Sequence, residues 1–240
     1  MTLQDQVVLI TGASKGLGAA LARKLASQGA QIALLARGEQ DLQQVKTQIK
    51  DQEGRAEYFV ADVTDYQQVE TAVQQVNEHF GQIDVLINNA GIWHQGSVAD
   101  HSPAKIEQLF KVNAIGPIYL AKAALPILKQ QPQAQILNVI STAGLGPRAE
   151  WGVYAASKAA LKGFSDSLKL ELQDSKIRVM SFYPGGMKTG IFAEAGFAQG
   201  RDTSWMMEPE RVATVIGLML SQPLEISMDH VEVRKLGHRG

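Results

Sequence analysis

"VVLITGASKGLG", residues 7–18, decides the fold. Four aliphatic residues and a threonine (Val7–Thr11) make a short strand-forming run, Gly12, Gly16 and Gly18 make a turn, and "AALARKLASQG" continues as a helix. A strand, a glycine turn and a helix N-terminus in succession form an anion site. Free backbone N–H groups and the positive end of the helix dipole converge there, and a dinucleotide pyrophosphate fits it. The spacing is G-x-x-x-G-x-G and departs from the G-x-G-x-x-G fingerprint. The same letters hold a rival, because Gly12, Ser14 and Gly16 spell the G-x-S-x-G elbow of α/β serine hydrolases. An elbow normally follows several strands, whereas only about a dozen residues precede this one, and its chain order would leave His230 or His238 as the base.

Outward from this turn the same alternation repeats. Short apolar runs recur at Ile32 ("IALLA"), Ala56 ("AEYFVA"), Asp84 ("DVLINN"), Gln135 ("QILNVIS"), Ile177 ("IRVMSFY") and Val231 ("VEVR"), which makes about seven strands with the first. Helical patterns lie between them, of which Val69, Ala72, Val73, Val76 and Phe80 form the clearest stripe. Strands this apolar suit a parallel sheet buried on both faces, so the sequence predicts an α/β fold: a doubly wound, Rossmann-like sheet with helices on both sides, in a single domain. No repeat or Pro/Gly/Ser-rich linker divides the chain, and its glutamine-rich stretches read as solvated helix faces and turns.

The 240 residues are 45% hydrophobic and carry 23 basic against 24 acidic side chains, enough for one substantial core and too balanced to draw the protein to nucleic acid or an anionic membrane. Cysteine is absent, which excludes disulfides and thiolate chemistry and fits the cytoplasm. No signal peptide or membrane span is expected. The histidines show no metal-ligand spacing, so no metal is implied. Nucleotide choice is read at the end of the second strand, where an acid favours NAD and an arginine favours the extra phosphate of NADP. There the chain reads Ala36, Arg37, with Lys15 in the glycine turn, and two cations near one phosphate favour NADP(H); Glu39 keeps NAD(H) open.

Several motifs then stand in order: "TGASKGLG" at Thr11, "NNAG" at Asn88, Asn113, Ser141, "YAASK" at Tyr154 and "PGGMKT" at Pro184, with Ser141 thirteen residues before Tyr154. Over essentially its whole length the chain resembles the short-chain dehydrogenase/reductase (SDR) family. The resemblance implies one dinucleotide-binding oxidoreductase domain over 1–240, of the carbonyl reductase or alcohol dehydrogenase type, interconverting a ketone or aldehyde and an alcohol by hydride transfer. It makes Tyr154 the acid/base, Lys158 its neighbour and holder of the nicotinamide ribose, Ser141 the partner of the reacting oxygen, and Asn113 the support of a water chain. On a helix, Tyr154 and Lys158 share a face, and a nearby ammonium is expected to lower the phenol's pKa. The resemblance also implies cofactor contacts from Gly12, Ser14, Lys15, Gly16, Leu17 and Gly18 in the turn. Further contacts are expected from Arg37, from Asp62 and Val63, from Asn89, Ala90 and Gly91, and from Pro184, Gly185 and Thr189, while Asn88 belongs to the sheet. A nucleotide-binding sensor without turnover is the alternative, and the intact set of Asn113, Ser141, Tyr154 and Lys158 argues against it.

Substrate choice is expected from Trp93, His94, Leu145, Trp151, Gly186, Met187 and residues 189–208, whose mixture of glycines and bulky apolar side chains suggests a lid or a pair of core-completing helices. Their character suits a medium-sized, partly hydrophobic carbonyl or alcohol. The family likeness further implies a homodimer or homotetramer joined through the helices after His101 and around Tyr154.

Overall fold

The computed structural model describes residues 3–146, 148–191, 202–223 and 225–237. All seven expected strands form: β1 (Val7–Thr11), β2 (Gln31–Ala36), β3 (Arg55–Val60), β4 (Val85–Asn88), β5 (Ala134–Val139), β6 (Ile177–Pro184) and β7 (His230–Val233). They make one parallel sheet in the order β3-β2-β1-β4-β5-β6-β7. The helices are α1 (Gly16–Ala26), α2 (Glu39–Lys50), α3 (Tyr66–Phe80), α4 (Pro103–Phe110), α5 (Gly116–Leu128), α6 (Gly152–Glu171) and α7 (Pro209–Leu220). The central strands are apolar on both sides because helices cover both sides: α1 and α7 pack in one layer, and α3, α5 and α6 contribute to the other.

Local signals fix the helix ends. Asp65 caps α3 by accepting from the N–H groups of Gln67 (3.0 Å) and Gln68 (3.2 Å), and Gly81 ends it in the left-handed conformation at φ 79°. Ser102 caps α4, with Pro103 at its first position. Between α4 and α5, residues Lys111–Ile115 widen into a π-helical turn that carries Asn113.

Buried polar groups then lock the layers to the sheet. The Val7 N–H donates to Asp84 at 2.7 Å. Asn88 Nδ2 donates to Asn138 Oδ1 (2.8 Å), Asn138 Nδ2 donates to Ser165 Oγ (3.0 Å), and the Ser165 and Ser181 hydroxyls share a bond of 2.7 Å. This chain ties β4, β5 and β6 to α6, the helix that carries Tyr154 and Lys158, and gives Asn88 the sheet role expected of it. The strand order reverses between β1 and β4, with β2 and β3 laid to one side and β5 to β7 to the other, so a crevice opens at their C-terminal ends.

Candidate active site

That crevice is a cavity of about 640 Å³. On one side lies the glycine turn. Gly12 and Gly16 hold φ of 63° and 56°, a conformation costly for residues with a Cβ. A Cβ on Gly12 would stand 2.9 Å from Ala90 Cα, so the turn lies hard against the end of β4. Asn89 holds it there, with Nδ2 donating to the Thr11 carbonyl at 2.9 Å. Unlike α3 and α4, α1 begins with no capping side chain, which leaves its first N–H groups for an anion. The turn thus fits a pyrophosphate on its own geometry. Further along the same wall, Arg37 pairs with Asp62 at 3.9 Å. Glu39 is turned to Tyr58, accepting from its hydroxyl at 3.0 Å, and Asp41 lines the cavity in its place.

The opposite wall carries Ser141, Tyr154 and Lys158. Tyr154 and Lys158 occupy one face of α6 and are 7% and 4% exposed. Lys158 Nζ donates to the Val139 carbonyl at 3.1 Å. Asn113 lies just behind: its Oδ1 accepts from the Ile92 N–H (2.9 Å), and its Nδ2 donates to the Ile92 carbonyl (2.9 Å) and to Ser157 Oγ (3.0 Å). Ser157 in turn donates to the Tyr154 carbonyl at 2.7 Å, so Asn113 braces the first turn of α6. A Cβ on Gly91 would sit 3.3 Å from both Asn113 Oδ1 and Lys158 Nζ, so a side chain there would press on these two groups. Ser141 holds φ 155° and ψ 154°, a region that side chains disfavour by on the order of 1–3 kcal/mol, and the surrounding packing supplies it.

Burial dominates the electrostatics. It pushes the Tyr154 phenol up to about 12, with a hydrogen bond from Ser141 and the charge of Arg148 offsetting only part. It pushes the Lys158 ammonium down to about 8. The expected lowering of Tyr154 by Lys158 is therefore not what the protein itself shows. The lysine's proton is directed at a backbone carbonyl, and desolvation of the phenolate outweighs the nearby charges.

Comparison with known proteins identifies this architecture. Residues 6–199 match the short chain dehydrogenase family. The chain belongs to that family. An oxidoreductase of Staphylococcus saprophyticus is 33% identical over 97% of this chain and 98% of its own. An alcohol dehydrogenase from the archaeon Thermococcus sibiricus, solved with 5-hydroxy-NADP, superimposes with a TM-score of 0.92 at 26% identity over 99% of each chain. A metagenomic short-chain oxidoreductase solved with NADP gives 0.84 at 32% identity over 98% of each. The protein is an SDR oxidoreductase, and the serine-hydrolase reading of Gly12, Ser14 and Gly16 falls. Its base fails on geometry as well: His230 begins β7, four strand positions from β1 and so roughly 19 Å away, and it stacks on Tyr183 at 4.1 Å. His238 lies outside the described residues.

Of the expected cofactor contacts in this SDR oxidoreductase, Gly12, Ser14, Lys15, Gly16, Leu17, Arg37, Asp62, Val63, Asn89, Ala90, Gly91, Pro184, Gly185 and Thr189 line the cavity with Tyr154 and Lys158. Gly18 does not. A Cβ there would stand 2.1 Å from the Gly12 carbonyl oxygen, so its place is close packing of α1 behind the turn. Of the residues expected to set substrate choice, Trp93, Trp151, Gly186 and Met187 line the cavity, whereas Leu145 packs against Ile140, Leu161 and Tyr183. His94 stands off the cavity wall, its pKa lowered by burial and by the charges of Lys105 and His101. The expected lid falls partly outside the described residues, at 192–201. Its far end is stitched back to the sheet: the Lys188 N–H donates to the Met207 carbonyl and the Met207 N–H to the Gly186 carbonyl, each at 2.9 Å, and Trp205 lies against Gly186. The sequence reading missed Thr142 and Arg148 in this wall. A basic residue inside the short loop between Ser141 and Tyr154 was the available signal.

Proposed function

We propose that the protein is an NADP(H)-dependent oxidoreductase that interconverts a ketone or aldehyde with an alcohol, Tyr154 handling the proton. The observation that carries this is the meeting of Ser141, Tyr154 and Lys158 in the cavity that also holds the uncapped start of α1. When bound there, a nicotinamide supplies or accepts the hydride. Tyr154, which keeps its proton up to about 12, delivers it to the carbonyl oxygen in reduction and takes it back in oxidation. Ser141 orients that oxygen beside the phenol. Lys158, four residues on along the same face of α6, would hold the nicotinamide ribose when the cofactor is bound. Asn113 keeps the first turn of α6 in register with Ile92, where it would also support a water path that resupplies the proton.

Preference for NADP over NAD rests on Lys15 and Arg37 lining the adenosine end and on Glu39 being engaged by Tyr58. The Thermococcus and metagenomic relatives were solved with NADP-type cofactors, in keeping with this choice. A homodimer or homotetramer in the cytoplasm completes the proposal, with Ile118 of α5 and Leu170 of α6 exposed on the helices such assemblies would use. No helix among the described residues is long and apolar enough to cross a membrane.

The test is loss of reduced-nicotinamide absorbance with NADPH and NADH against ketones, aldehydes and diketones, for the native protein and for Tyr154→Phe. Turnover that prefers NADPH and vanishes in the variant, with NADPH still bound, is the expected result. Undiminished turnover in Tyr154→Phe would refute the mechanism.

A further inference from the structure

The cleft contains a cation, Arg148, whose charge offsets part of the burial of Tyr154 but whose hydrogen-bond donors the hydride and proton transfer leave largely unused. Arg148 sits in the loop between Ser141 and Tyr154, half-buried in the cavity wall. One of its N–H groups donates to Thr142 Oγ1 at 3.2 Å, and its guanidinium lies 4.7 Å from the centre of the Trp151 ring. Trp151 makes edge contacts with Trp93 at 5.3 Å and with Tyr154 at 6.0 Å. The guanidinium is thus fixed on both sides, by the residue next to Ser141 and by the ring beside Tyr154.

Among the described residues no acid forms an ion pair with Arg148; of the acids that line the cavity, Asp62 pairs with Arg37 and Asp41 stands beside Gly38. Glu150 accepts from Gln95 at 2.5 Å, Glu232 pairs with Arg234, and Asp202 accepts from Ser204 at 2.8 Å. A guanidinium has five N–H donors in a fork matched to a carboxylate, and Thr142 uses one. Taking it partly out of water without an acid partner is unfavourable, and Arg234 adds a second positive charge to its surroundings. A carboxylate on the ligand would relieve both. The remaining walls here, Trp93, Trp151 and Ile191, are apolar and suit the body that joins the carboxylate to the reacting carbon.

We propose that Arg148 anchors a carboxylate of the substrate, so that the enzyme acts on oxo acids and hydroxy acids with a partly apolar body in preference to neutral ketones and alcohols. The inference rests on the reductase reading above for the reaction and on Arg148's own geometry for the anion. The carboxylate is unchanged in the reaction: the carbonyl carbon gains a hydride, its oxygen gains the proton held by Tyr154, and a reduced nicotinamide is oxidised.

Two measurements separate the anion site from the reaction. Calorimetry on the NADP-treated protein compares 3-phenylpropionate with 3-phenylpropanamide, in the native protein, Arg148→Met and Arg148→Lys. The acid should bind at least tenfold more tightly than the amide, Arg148→Met should erase that preference, and Arg148→Lys should restore part of it. Steady-state rates then compare aryl and alkyl oxo acids with their methyl esters. The acid-to-ester ratio of kcat/KM should fall at least tenfold in Arg148→Met, chiefly through KM. Equal binding of acid and amide by the native protein overturns the proposal. So does an equal fall for acid and ester, or loss of NADPH affinity in Arg148→Met, which would assign the arginine to the cofactor. If neither acids, esters nor neutral ketones are turned over while the acid preference in binding holds, the reductase reading fails and the anion site stands.

Discussion

Lys158 gives the sharpest test of the site's energetics. Its ammonium is buried, and burial holds its pKa at about 8 instead of the ordinary 10.5. At 1.36 kcal/mol for each pKa unit, folding works against about 3 kcal/mol of buried charge at neutral pH. Lys158→Met keeps the length and removes the charge. It also leaves the Val139 carbonyl without its 3.1 Å donor, a loss of about 1–2 kcal/mol, so the variant should be more stable at pH 7 by about 1–2 kcal/mol. For a chain of this length that raises Tm by roughly 2–8 °C. The sign with pH follows from proton uptake. Between about pH 8 and 10.5 the unfolded lysine binds a proton that the folded one has released, so native stability rises over that window, whereas the variant lacks this contribution. The variant's advantage should therefore shrink above pH 8, vanish between about pH 9 and 10, and turn into a deficit of about 1 kcal/mol near pH 10.5, where only the lost hydrogen bond remains. Urea unfolding followed by tryptophan fluorescence at pH 7, 9 and 10.5, at one protein concentration, reads both effects. A variant less stable than the native protein at pH 7, with the gap constant to pH 10.5, would refute the claim that burial of the Lys158 charge dominates. Turnover should be lost in the variant throughout.

Two further substitutions test the cofactor side. Gly18→Ala drives a methyl group to 2.1 Å from the Gly12 oxygen and 2.7 Å from Asn89 Nδ2, two groups held by the turn's own bonding. It should cost about 1–3 kcal/mol in thermal unfolding and weaken NADPH binding by displacing the turn; unaltered values for both would mean that the turn yields freely. Arg37→Ala should raise KM for NADPH at least tenfold and KM for NADH little, measured with one carbonyl substrate. Equal changes for the two cofactors would remove Arg37 from phosphate recognition.

The sheet was legible in the sequence because burial on both faces leaves a run of aliphatic residues wherever a strand lies, and even the half-exposed β7 kept enough of that pattern in "VEVR". The glycine turn was legible for a different reason: it is set by local geometry, a φ above zero, that is visible in neighbouring letters. Tyr154 and Lys158 are singled out by resemblance to a family's motifs in order, helical spacing adding only that they share a face. What was not legible depends on how the folded chain packs and desolvates its groups, near or far in sequence. Gly18 reads as one more phosphate-binding glycine until its distance to the Gly12 oxygen is known. The π-helical turn at Lys111–Ile115, which aims Asn113 at Ile92 and Ser157, has no periodicity of its own. Arg148 looked like any loop cation, and only folding sets it between Thr142 and Trp151. The electrostatic expectation for Tyr154 failed in the same way, since spacing gives proximity to an ammonium but not the desolvation that opposes it.

The two kinds of residue in the cleft are held by two kinds of structure. Tyr154 and Lys158 stand on a helix bound to the sheet by the Asn138, Ser165 and Ser181 bonds and braced at its first turn by Asn113 through Ser157. A displaced proton donor loses rate steeply, so the chemistry belongs on elements whose positions are over-determined. Arg148, Trp151 and Trp205 stand instead at a helix entrance and in connecting segments, held by contacts such as the Arg148 bond to the Thr142 hydroxyl and the packing of Trp205 on Gly186. Substitutions among them can reshape what is bound while the bonds that position Tyr154 and Lys158 remain intact. An acid-preferring and a neutral-preferring enzyme could therefore differ at Arg148 alone, with the same sheet, the same glycine turn and the same proton donor.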